Sequence, residues 1–403
     1  MKILHLFPRF PWPLKDGGAV AFYNHLKGLN DNGHTVVAAV MNTSKHRINF
    51  NDIPETVKNL ATWHLVNIQN HITPLGALEN LFRSDSYILS RFKQPPFEDL
   101  IKQLLAETDF DLIIFESLQC AVYIDKIKPL TKAKCLLRSH NIEHHIWHEQ
   151  EKVEPSFLKR WYLRVQTERL KKEELKLTQQ MDGILAISKA DMVSYKSLGI
   201  HNPIVYYPVG FELMLQANIP KPHIAKVFHL GSMDWMPNQV AITFFLNDVW
   251  PLVIKERNLT FEIAGRNMPA HFSNLKQEGV SIKGEVEDAA QYIQENGIMV
   301  IPLKSGSGMR VKVMEGMALG KCIISTSKGM EGIAAVPNKH FILANTPTEF
   351  KDAILHFTEN LKEADNIGLE ARKFATEEFN NKNIVATLTT FVAQLKKDQE
   401  WVG

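Results

Sequence analysis

Ile298-Met-Val-Ile-Pro-Leu-Lys-Ser-Gly-Ser-Gly-Met-Arg-Val-Lys-Val-Met-Glu-Gly-Met-Ala-Leu-Gly320 is the stretch that decides the architecture. Its first residues are a continuous apolar run of strand length that ends near Pro302. A glycine-bearing turn follows at Ser305–Gly308, and a helical pattern then runs to Gly320, a helix stop signal. Strand, glycine turn and helix start together make an anion site, because free amides and the positive end of the helix dipole point at one place. Helices favour acids in their first turn, so Arg310 and Lys312 there call for an anionic partner such as a diphosphate. Glu315, one turn on, is placed to reach hydroxyl groups beside that anion. The competing account is an ordinary buried helix in which Lys312 and Glu315 pair at i,i+3 on an exposed face.

Outward from this segment the same alternation recurs. Apolar runs of strand length stand at Ile3–Phe7, Thr35–Val40, Thr62–Val66, Leu112–Phe115, Cys135–Arg138 and Gly183–Ile187. A second series stands at Val205–Tyr207, Ala225–Leu230, Thr260–Ala264, Val280–Lys283, Ile298–Leu303, Cys322–Ser325 and His340–Leu343. Parallel strands covered by helices on both faces read as unbroken apolar runs, so the class is α/β with two doubly wound, Rossmann-like domains. Prolines cluster at Pro203, Pro208, Pro220 and Pro222, which places the boundary there. The expected domains are 1–205 and 206–382, with a C-terminal helix in 383–403 that either domain could hold and that could pack back on the first. Ligands of such sheets bind at the carboxyl ends of the strands, and two of them facing each other would form a cleft lined by those loops.

The remaining composition excludes more than it selects. A chain of 403 residues with a formal charge of +2 lacks the basic footprint of a nucleic-acid binder. Cys120, Cys135 and Cys322 stand far apart with no C-x-x-C pair, which points to a reducing, cytoplasmic setting and against structural zinc. No apolar stretch reaches the ~18 residues of a membrane span. Phe157–Gln179 is rich in Lys and Arg and carries Leu158, Trp161, Tyr162 and Val165 near its start. It reads either as a solvated helix or as a peripheral contact with the inner face of a membrane.

In the first half, Pro8–Phe22 is a proline-rich loop leading to Gly17-Gly18 at a helix start, where a ligand could approach the backbone closely. Ser139-His-Asn-Ile-Glu-His-His145 directly follows a strand, so His140 faces the expected cleft. His140, His144 and His145 raise metal ligation, but no cysteine or acid cluster completes such a set, and no metal site is assigned. Glu116, also after a strand, is a second candidate for a cleft acid, although the favoured reading is an exposed loop carboxylate. Asp109-Phe-Asp111 leads into a strand and so sits at the opposite end of the sheet.

The quoted segment, together with Cys322–Gly332, Phe228-His-Leu-Gly-Ser-Met-Asp-Trp-Met-Pro-Asn238 and Phe261-Glu-Ile-Ala-Gly-Arg266, resembles the donor-binding signature of retaining glycosyltransferases of the GT-B fold, particularly glycosyltransferase family 4. The resemblance covers nearly the whole chain and is densest from 228 to 332. It implies transfer of a sugar, of hexosyltransferase type, from a nucleotide-diphosphate sugar to a glycan, glycolipid or other hydroxyl acceptor in polysaccharide or glycoconjugate synthesis. It implies no cofactor and no catalytic metal. Glu315 matches the glutamate that grips the donor ribose, and Gly308 and Met309 offer amides to phosphate. The same resemblance implies that Gly17, Gly18, Gly231 and Ser232 would lie near the diphosphate, that Arg266 and Val286 would border the base, and that His140 would sit beside the donor sugar. Two positions depart from the pattern. Ser307 stands where many members carry a first glutamate, and Asp234–Asn238 replaces a segment with Arg and Lys, so that Arg310 and Lys312 would supply the missing charge. A non-catalytic partner subunit and a sugar-nucleotide epimerase of the same fold are the alternatives.

Overall fold

A computed structural model describes residues 1–14, 17–211, 222, 224–306 and 310–400, the last three by backbone alone. Residues Met1–Gly210 and Asn381–Gly403 form one compact unit and Phe211–Asn380 the other.

The first unit holds seven strands: β1 Lys2–Phe7, β2 Thr35–Thr43, β3 Thr62–Ile68, β4 Leu112–Glu116, β5 Lys134–Ser139, β6 Gly183–Ala186 and β7 Ile204–Tyr206. They lie in the order β3-β2-β1-β4-β5-β6-β7, all parallel. Alternation of side chains along each strand divides the core between the two faces. Leu4, Leu6, Ile113 and Phe115 pack in one cluster, and Ile3, Phe7, Leu112 and Ile114 pack in the other.

The second unit holds β8 Lys226–Leu230, β9 Thr260–Ala264, β10 Val280–Gly284, β11 Ile298–Ile301, β12 Ile323–Ser325 and β13 Ile342–Leu343, in the order β10-β9-β8-β11-β12-β13. These are also parallel. In both sheets the order reverses beside the first strand, between β1 and β4 and between β8 and β11. That reversal opens the crevice where such sheets take ligands. The loops after β1, β4, β8 and β11 are therefore the places to look.

Two expected boundaries shift. The run at Val205–Tyr207, assigned above to the second series, forms β7 and pairs with β6 in the first sheet, so residues 206–210 belong to the first unit. The terminal helix Asn381–Glu400 also belongs there. Ile384, Val385, Leu388, Phe391, Val392 and Leu395 recur at helical spacing and bury against the first sheet's core. Asn381 fixes its start by donating to the Asn24 carbonyl at 3.1 Å. No helix among the described residues is long and apolar enough to cross a membrane, and Cys120, Cys135 and Cys322 are all buried.

Candidate functional site

In the second unit, β8 runs into Gly231–Trp235 and then the helix Met236–Phe244. The Ser232 hydroxyl donates to Asp234 at 2.5 Å and receives the Arg266 Nε at 2.7 Å, while Asn267 Nδ2 donates to the same Asp234 at 3.1 Å. The Ser232 hydroxyl, assisted by Asn267 and the Arg266 charge, holds the Asp234 carboxyl below its ordinary range. The loops after β8 and β9 touch so closely that a Cβ on Gly265 would lie 1.7 Å from the Gly231 carbonyl oxygen. Only glycine fits there, and the approach brings Arg266 onto Ser232.

The loop after β11 meets the same region through Trp235. Gly306 has φ +101°, and a Cβ there would lie 2.7 Å from the Trp235 ring. Arg310 precedes the helix Val311–Ala318, donates from Nη2 to the Gly306 carbonyl at 2.9 Å, and stacks its guanidinium 5.2 Å from the Trp235 centroid. It is 7% exposed. Lys312 Nζ lies 2.6 Å from Glu315, whose side chain is almost wholly buried while the lysine is 40% exposed. The i,i+3 pair anticipated as the competing account is thus present, with its acid buried and its cation open. Val286 follows β10 in a half-buried loop. Ser307, Gly308 and Met309 lie outside the described residues. The structure therefore joins Gly231, Ser232, Arg266, Trp235 and Arg310 into one contiguous surface at the carboxyl edge of the second sheet. Trp235 as the cover of Arg310 was not anticipated.

In the first unit, Gly17 and Gly18 open the helix Gly17–Asp31. Phe22 of that helix packs edge-on against His140, with centroids 5.1 Å apart. His140 follows β5, as expected from its position after an apolar run. Glu116 is where expectation fails. Rather than an exposed loop acid, it is the last residue of β4 and fully buried. Parity explains this: β1, β4 and β5 are adjacent, and His5, Glu116 and Arg138 project to the same sheet face as Ile3, Ile114 and Leu136. The helix Gly17–Asp31 covers that face and adds His25. Glu116 Oε2 accepts from His5 Nε2 at 2.6 Å and His25 Nδ1 at 3.1 Å. Its Oε1 accepts from His140 Nε2 at 2.5 Å and from the Arg138 guanidinium. Burial alone would raise the Glu116 carboxyl, but Arg138 and the three histidines outweigh it and hold it well below the usual range. Burial lowers the three histidines, His25 to about 3, with Arg138 acting in the same direction. Each ring is neutral near pH 7.

His140 and His144 do not share a metal site. The helix begins only at Glu143, so their spacing is not one helical turn, and they are held by different carboxylates. His144 Nδ1 lies 2.7 Å from Glu174, which also accepts the Glu143 and His144 backbone amides. His5, His25 and Glu116 do place ligand atoms within 4.8 Å of one another. Arg138 already balances that carboxylate with a permanent cation, which disfavours a second one. Asp111 accepts the Lys2 amide at 2.9 Å at the amino end of β4, away from this cluster.

Residues 225–360 match the family model described as Glycosyl transferases group 1, so the second unit carries a domain of that type. A Klebsiella pneumoniae protein, "Uncharacterized 44.6 kDa protein in cps region", is 24% identical over 96% of this chain and 98% of its own length. Among solved structures, sucrose-phosphate synthase from Thermosynechococcus elongatus superposes with a TM-score of 0.71 at 14% identity, covering 99% of this chain and 100% of that one. Anabaena HepE in complex with UDP gives 0.67 at 15% identity over 98% and 100%. A Staphylococcus aureus TarM mutant with UDP bound gives 0.67 at 12% identity over 97% and 100%. The fold is that of GT-B glycosyltransferases.

Proposed function

We propose that this chain is a retaining glycosyltransferase of hexosyl type, taking a sugar from a nucleotide-diphosphate donor. The observation that carries this is the contiguous surface at the β8/β11 reversal, lying inside the group 1 domain. There Arg310, immediately before the helix Val311–Ala318, lies against Trp235 of the loop whose Ser232 hydroxyl receives Arg266. In this reading the diphosphate lies against Arg310, Lys312 and residues 307–309, and Glu315 turns from Lys312 to the ribose. Arg266 and Val286 border the base, and Gly231 and Ser232 flank the phosphates. Gly17 and Gly18 let substrate approach the first unit's backbone, and His140 offers a ring nitrogen to a sugar hydroxyl.

The anomeric carbon–oxygen bond to phosphate breaks with its electron pair leaving on the diphosphate, where the two cations and the helix dipole stabilise the growing charge. The acceptor oxygen forms its bond on the same face, and its proton passes to the departing phosphate oxygen. No metal enters this scheme, so a chelator should leave turnover unchanged. Sucrose-phosphate synthase, HepE and TarM among the structural neighbours, and a sequence relative from a cps region, support a saccharide product. Synthesis of a polysaccharide or glycoconjugate is the setting we assign. Incubation with UDP-glucose, GDP-mannose and ADP-glucose, followed by proton NMR of the anomeric signal, tests the reaction. An α-configured product from an α-configured donor supports it, and inversion or isomerisation of the donor without transfer contradicts it.

We further assign the helix Phe157–Gln179 as a peripheral contact with anionic membrane. Phe157 is 78% exposed, Leu158 74% and Trp161 52%, interleaved with Lys159, Arg160 and Arg164. Apolar side chains amid cations suit the headgroup boundary of an anionic bilayer. Trp161→Glu should abolish sedimentation with phosphatidylglycerol vesicles. Binding unchanged by that substitution, or equal to neutral vesicles, contradicts the assignment.

A further inference from the structure

A carboxylate has about four lone-pair sites and, when ionised, only accepts. Glu116 has four donors on it, two per oxygen: His5 and His25 on one, His140 and Arg138 on the other. Every site is filled, so each ring nitrogen facing Glu116 must carry a hydrogen. Among these three histidines only His140 reaches the surface, with a side chain 15% exposed against 0% for His5 and 1% for His25. Its Nδ1 makes no hydrogen bond among the described residues, and the edge of Phe22 holds the ring plane. The buried carboxylate therefore transmits an orientation and a hydrogen position to one exposed ring nitrogen.

We propose that Glu116 is a positioning residue: by accepting the Nε2–H of His140 it fixes the tautomer whose bare Nδ1 takes a hydrogen bond from a substrate sugar hydroxyl. The assignment rests on the glycosyl-transfer reading for the identity of that substrate, but not for the tautomer. His5, His25 and Arg138 complete the device. They consume the other three acceptor sites, so the carboxylate neither turns away from His140 nor takes a proton. Fixing one ring nitrogen by the hydrogen bond on the other is how proteins choose between the two histidine tautomers. The sugar recognised at this point must present a hydroxyl hydrogen, so a deoxy or O-methylated sugar at that position is excluded.

The decisive experiment is nitrogen NMR of the protein with ring-labelled histidine at pH 7, with His140→Gln to assign the signal. The expected result is a neutral His140 ring protonated on Nε2. A ring protonated on Nδ1, or on both nitrogens, overturns the proposal without reference to any substrate. Glu116→Gln supplies the second arm, because its amide brings hydrogens where the carboxylate only accepted. It should mix the His140 tautomers and lower kcat with UDP-glucose about 10- to 100-fold, the worth of a hydrogen bond to a charged group. UDP affinity, a property of the second unit, should change less than twofold. Loss of kcat with the tautomer unaltered would make Glu116 structural only. Stoichiometric zinc in the purified protein, absent from His5→Asn, would also overturn the hydrogen-bonded hub. If wild type turns over none of UDP-glucose, GDP-mannose and ADP-glucose, the transfer reading fails on its own, and the tautomer still decides the role of Glu116.

Discussion

Glu116, His5 and Arg138 each interrupt an otherwise apolar strand run, and that interruption was visible in the residues as written. Their convergence was not, because it depends on strand neighbours 111 and 22 residues apart in sequence and on a covering helix that adds His25. The second-unit candidates stood out more readily, since Arg310, Lys312 and Glu315 lie within one short helix start. What escaped was Trp235, whose ring reaches Arg310 only because Gly306 leaves room. Trp235→Ala removes that stacking, worth about 0.5–1 kcal/mol, and nucleotide affinity should weaken about two- to fivefold by isothermal calorimetry. Gly265→Ala is harsher. Its Cβ would meet the Gly231 carbonyl at 1.7 Å, so denaturant unfolding should show a loss of about 1–3 kcal/mol.

Elements follow the apolar runs closely, because parallel strands buried on both faces leave an unambiguous signature. The exceptions are at the unit boundary. A three-residue strand such as Ile204–Tyr206 carries too little pattern to say which sheet it joins. At the helix Glu143–Val153, Glu174 satisfies two of the starting amides, and its charge together with burial raises the neighbouring Glu143 carboxyl from 4.5 to about 7. Burial is the larger cause. Between those two values the folded chain holds a proton that the unfolded chain has released, so this group's contribution falls as pH rises. Glu143→Gln should therefore gain stability over wild type progressively from about pH 4.5 to pH 7, measured as the difference in Tm.

At the scale of the molecule, each unit builds its own core and carries a buried neutral histidine. His25 in the first is held down to about 3 and His229 in the second to about 4, in both cases chiefly by burial. Both lower values mean that the unfolded chain takes up protons first as pH falls below about 6.5. The stabilisation present above that pH is lost on approach to the folded values, and scanning calorimetry should show lower transitions at pH 5 than at pH 7. Assigning the terminal helix to the first unit needed the three-dimensional core, since its apolar stripe would suit either sheet. Leu388→Ala should cost about 2–5 kcal/mol in the first unit, read from its unfolding transition. The central claim is that the second unit holds a nucleotide diphosphate through Glu315 and its neighbouring cations. A thermal-shift panel of UDP, GDP, ADP and their sugar conjugates on wild type and Glu315→Ala tests it most directly. The account predicts that one nucleotide raises the wild-type Tm and that the variant loses this response. A well-folded wild type indifferent to all of them would contradict it.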